Sequence, residues 1–103
     1  MPNLKLLPEI TREIRKSVFP DFPDTPINDL EYCKLLLKKK VKEKLSTNLN
    51  ELLSILYRVD ISEVDVQKAF LLSSEEAIAQ KLAALILERQ IQKIEFRKKY
   101  RKD

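Results

Sequence analysis

The sequence predicts an all-α protein, a compact bundle of four to five helices with a long C-terminal helix as its spine. Three observations predict it. Leucines and isoleucines run from Leu4 to Ile94 and recur three and four residues apart, the spacing that gathers them on one face of a helix. No stretch of five or six residues between turn signals sustains the alternate spacing of a half-buried strand. Charged residues make up 35% of the chain, evenly mixed in sign, which suits a compact helical protein with solvated outer faces.

The elements follow in order. Pro8 suits the first turn of a helix that continues through Glu9 to Val18, with Ile10, Ile14 and Val18 four apart. Pro20, Pro23 and Pro26 forbid helix and central strand, leaving a connector pinned to the core by Phe19 and Phe22. A second helix opens at Thr25-Pro26 or at Asn28, with Glu31 as capping partner. Its apolar stripe is Leu30, Cys33, Leu37, Val41 and Leu45. Ser46-Thr47-Asn48 breaks it, and Thr47 or Asn48 caps a third helix with the apolar face Leu49, Leu52, Leu53, Leu56 and Tyr57. Ser62 starts a short fourth helix that buries Val66, Ala69 and Phe70. Ser73-Ser74-Glu75-Glu76 opens the last helix, which runs from about Glu75 towards Tyr100 and gathers lysine and arginine at its end, as the helix dipole favours.

At 1.5 Å per residue a helix of that length spans about 39 Å. Helices three and four are too short to cover it, so helices one and two, or a partner, must cover the rest. The domain expected is single, residues 1–103, with residues 1–27 (helix and proline connector) packed on a helical core of residues 28–103.

Composition excludes several functions. With no glycine there is no P-loop or dinucleotide-binding turn, and with no histidine the usual general base and commonest metal ligand are missing. No cofactor is expected. The single cysteine, Cys33, lies on the stripe of helix two, where a thiol fills space and does not react. Asp60, Glu63 and Asp65 resemble a divalent-metal loop, but the glycine and the alternating ligands of such a loop are missing, and acids at a helix start explain them. Helices three and four as a DNA-reading helix-turn-helix fail on charge, because Glu63 and Asp65 would face phosphate. Pro20, Pro23 and Pro26 have the spacing of a proline-rich ligand, yet the phenylalanines between them need burial. No catalytic spacing, signal peptide or membrane-length apolar run stands out, so the expectation is a cytoplasmic protein that is not an enzyme and takes no small-molecule substrate.

Two expectations about partners remain. Leu87, Ile91 and Ile94 continue the stripe of Ile78, Leu82 and Leu85, whereas Phe96 and Tyr100 point to another side of the same helix. Apolar groups on more than one face need cover on more than one face, so these five residues are the candidate interface of a homo-oligomer or a protein–protein module. The alternative is a nucleic-acid-binding accessory protein. It would use the basic stretches 34–44 and 97–102, through Lys38, Lys39, Lys42, Arg97, Lys98 and Arg101. An acidic block separates those stretches, so their charge can equally draw one part of the bundle to another.

Overall fold

A computed structural model describes residues 6–23 and 29–100. These form five helices: α1 (Leu7–Ser17), α2 (Leu30–Thr47), α3 (Leu49–Arg58), α4 (Glu63–Phe70) and α5 (Glu75–Tyr100). The fold is the expected all-α bundle, with α5 running most of its 44 Å long axis.

Local chemistry sets the helix ends. Pro8 occupies the first turn of α1, where its missing N–H has no carbonyl to serve. The side chain of Asp29 accepts from the Glu31 N–H and caps α2, which begins at Leu30; the start expected at Thr25-Pro26 or Asn28 lies outside the described residues. Asn48 ends α2 and caps α3, accepting from the Glu51 N–H at 3.1 Å. Ser74 does the same for α5, through the Ala77 N–H. Ser62 stands at the N-cap of α4 without a side-chain hydrogen bond.

The end of α3 is a Schellman motif. Asp60 N–H donates to the Tyr57 carbonyl and Ile61 N–H to that of Leu56, both at 3.1 Å. That motif needs a left-handed residue, a place glycine takes most easily. Here Asp60 takes it, with φ 67°.

One core joins all of these elements. Ile10 and Ile14 of α1, Cys33, Leu37 and Val41 of α2, and Leu52 and Leu56 of α3 meet Leu82 and Ile86 of α5. Phe19 and Phe22 of the connector are buried in it as well. α2 lies antiparallel to α5, since Lys42 near its end reaches Glu76 at the start of α5 while Leu30 and Glu31 lie by Ile91 and Glu95. α1 covers the other half of α5, where Glu9 and Glu13 meet Lys98 and Arg97. α4 packs on α5 as well, with Asp65 near Leu85 and Glu88, and beyond it Gln92, Glu95, Phe96, Lys99 and Tyr100 stand exposed among the described residues.

Two details of the packing differ from expectation. On α3, Leu49, Leu53 and Tyr57 are exposed and Ile55 is buried, because the inward face is centred on Leu52, Ile55 and Leu56. On α5, Leu82 and Ile86 are central and Leu85 is only partly buried. The true stripe passes through Ala79, Ala83 and Gln90, whose small or polar side chains hide it from an apolar count.

Candidate functional site

The five residues of the expected interface divide. Leu87 and Ile94 are buried within the bundle and anchor α5 to its own chain. Ile91 is partly buried and lines a groove facing Leu30 and Lys34 of α2. Phe96 and Tyr100 are 64% and 65% exposed on the last two turns. Their rings lie 4.7 Å apart at 48°, and the Lys99 ammonium sits 5.9 Å from the Tyr100 centroid. Four-residue spacing on a helix makes that pair, and Phe96 lines a groove whose edge is Glu13 of α1.

The basic residues have a different fate. Lys38 and Lys42 both pair with Glu76 of α5, Lys42 at 2.7 Å. Lys40 reaches Asp21 of the connector and Lys44 reaches Glu51 of α3. At the far end, Arg97 pairs with Glu13 at 3.0 Å and Lys98 with Glu9 at 3.1 Å. Lys39 is exposed, and Arg101 lies outside the described residues. Lys38 and Lys42 therefore sit against the start of α5 and Arg97 and Lys98 lie at its far end, while Lys34 lies nearer Glu88 and Ile91. Residues 76 and 97 are about 31 Å apart along that helix at 1.5 Å per residue. The two pairs do not make one patch.

These pairs set the electrostatics. Hydrogen bonds from Lys38 and then Lys42 hold the Glu76 carboxyl down at about 2. Burial pushes Glu13 up, but hydrogen bonds from Arg97 and Ser17 outweigh it and the net direction is down. Burial alone raises the Cys33 thiol to about 11, which keeps it a neutral core group. Among the described residues no group of three or more histidine, cysteine, aspartate or glutamate side chains is placed to hold a metal, Asp60, Glu63 and Asp65 included.

Two features were not anticipated in the sequence. Glu9, Glu13, Glu51 and Glu76 are the clasps of the bundle, and only their sign, opposite to the basic stretches, announced them. Arg89 bridges elements too, donating from Nη2 to Asp60 at 3.0 Å. The exposed line Leu49, Leu53, Tyr57 on α3 is the other, readable in the fact that the helix carries apolar residues around more than half its circumference.

The chain is thus a small all-helical domain whose described residues carry one long, half-covered helix ending in an exposed aromatic pair. No helix among them is long and apolar enough to cross a membrane. Comparison with known protein families, curated proteins and solved structures finds no significant match to this chain.

Proposed function

We propose that this protein is a small, non-enzymatic protein–protein interaction module that self-associates through the C-terminal half of α5. The observation that carries this reading is the Phe96–Tyr100 pair, two large aromatic side chains about two-thirds in solvent on the uncovered side of the helix. Aromatic residues are enriched at the centres of interfaces, where they supply area at a low cost in side-chain entropy. Each large apolar side chain buried contributes about 1.5–3 kcal/mol, so two from each copy are enough for a weak, reversible dimer.

Leu87 and Ile94 serve this function indirectly, by fixing the helix on which the pair is displayed. The stripe on α3 supports a partner surface less well, because a ten-residue helix offers only about 15 Å of length. Nucleic-acid binding is also less well supported, since Lys38, Lys42, Arg97 and Lys98 would have to leave carboxylates to reach phosphate. The proposed compartment is the cytoplasm, where an unbridged buried thiol such as Cys33 persists.

Sedimentation velocity across a concentration series tests the reading. The expected result is a monomer–dimer equilibrium that Phe96→Ala/Tyr100→Ala shifts to monomer without loss of helicity. A native chain that stays monomeric at every concentration would overturn it.

A further inference from the structure

We infer that the second copy docks by two-fold exchange about Gln92, each copy laying its Phe96–Tyr100 end into a groove between the α3–α4 turn and α5 of the other. This rests on the self-association proposed above.

Two grooves lie end to end along the outer side of α5, and they share Arg89 and Gln92. The first, of about 390 Å³, is lined by Asp60, Asp65, Leu85 and Glu88. Its only base, Arg89, is engaged by Asp60, and Asp65 and Glu88 form no ion pair with any described residue. This half is acidic. The second, of about 530 Å³, is lined by Lys93, Phe96 and Arg97, with Glu13 of α1 at its edge. Glu13 is engaged by Arg97, and neither Lys93 nor Lys99 beyond it forms an ion pair with any described residue. This half is basic, and it carries the aromatic pair.

A surface with opposite charges at its two ends is complementary to itself under a two-fold rotation, the symmetry of most homodimers. Gln92, uncharged and exposed, lies at the junction. Along the helix, Phe96 stands about 6 Å beyond Gln92, and Glu88 about 6 Å before it. Tyr100 stands about 12 Å beyond and Leu85 about 10 Å before. Antiparallel packing about Gln92 then sets Phe96 beside the partner copy's Arg89 and Glu88 positions. It sets Tyr100 against the partly buried Leu85 position, in the groove lined by Asp65 and Glu88, whose carboxylates can accept from its hydroxyl. Lys93 and Lys99 approach the free acids. A foreign basic peptide would match the acidic half alone, whereas a second copy matches both halves at once.

The test is a charge exchange, read by sedimentation velocity. Lys93→Glu/Lys99→Glu makes both halves acidic, and Asp65→Lys/Glu88→Lys makes both basic. Each variant alone is expected to self-associate roughly thirtyfold more weakly than the native chain, and an equimolar mixture to recover the native affinity as a heterodimer. Native affinity should also fall as salt rises, a readout that needs no variant. A native dimer that both variants leave unchanged, or a mixture that fails to recover, removes this docking geometry while self-association stands. A native chain that never dimerises removes self-association itself.

Discussion

Asp60 accepts a 3.0 Å hydrogen bond from Nη2 of Arg89 while its own backbone stands in the left-handed region at φ 67°. One residue thus ends α3 and ties the turn that follows to the middle of α5. In a chain without glycine the short polar side chain of aspartate is among the few that tolerate this conformation. Asp60→Val should cost about 1–2 kcal/mol of stability, from the crowding of Cβ against the carbonyl in that conformation. Asp60→Gly should be neutral or stabilising, because relief of the backbone offsets an exposed ion pair worth at most about 1 kcal/mol. Chemical denaturation of the two variants checks both signs. A stable Asp60→Val would mean that the turn is not constrained as described.

The core of α5 makes a second prediction. Leu82 and Ile86 are fully enclosed, whereas Leu85 lies at the edge beside Glu88 and Arg89. Leu82→Ala should cost about 2–5 kcal/mol, and Leu85→Ala clearly less. Equal losses on urea titration would show that the stripe is placed a residue off.

Gln90 is a buried polar residue on that stripe, and neither its amide nitrogen nor its amide oxygen meets a hydrogen-bond partner among the described residues. A buried, unpaired amide costs on the order of 1–3 kcal/mol. Gln90→Met, close in volume and apolar, should therefore raise the thermal midpoint. A lowered midpoint would mean that the amide makes bonds essential to the bundle.

Acid should loosen the clasps in a defined window. Glu76, held at about 2 by Lys38 and Lys42, ordinarily titrates at 4.5. Asp21 is also lowered, by its hydrogen bond to Lys40. Between those values the unfolded chain binds more protons than the folded one, so stability is full above about 4.5 and declines towards 2. Lys42 is raised above 10.5 by Glu76, and Lys44 by Glu51, so their contribution is full below 10.5 and is lost above it. Thermal unfolding followed by circular dichroism should show a plateau through neutral pH with a fall on each side. Glu76→Gln should flatten the acid limb. A native midpoint that is unchanged down to about pH 2 would contradict the role of these pairs.

Much of the fold could be read from the sequence because its signals are local. Asn48 and Ser74 have the side chains that cap α3 and α5, Pro20 and Pro23 fall between α1 and α2, and the last helix starts at Glu75 as expected and reaches Tyr100, the last described residue. Phe19 and Phe22 are buried, as their apolar rings require. Residues 19–22 nevertheless make a turn, closed by the Phe22 N–H donating to the Phe19 carbonyl, where the prolines led one to expect an extended segment. The surface was harder to read, because it depends on which helix lies over which. Leu87 and Ile94 look the same in sequence whether α1 and α2 or a second copy covers them. The lysines of α2 read as a charged patch until Glu76, more than thirty residues away, is placed against them. Gln90 hid the core stripe because a polar letter there counts against burial.

The claim that two copies meet along α5 is most directly tested by a cysteine at the proposed axis. Cys33 is buried, with its thiol raised to about 11, so it will not compete for oxidant in the folded chain. If two copies pack about Gln92 as proposed, the thiols introduced by Gln92→Cys would meet across the two-fold, where a disulfide can join them. Mild oxidation should convert the folded protein into a covalent dimer of twice the 12.1 kDa chain mass, while Gln80→Cys, exposed near the other end of α5, stays monomeric. No cross-link at position 92, or equal cross-linking at both positions, would contradict the account.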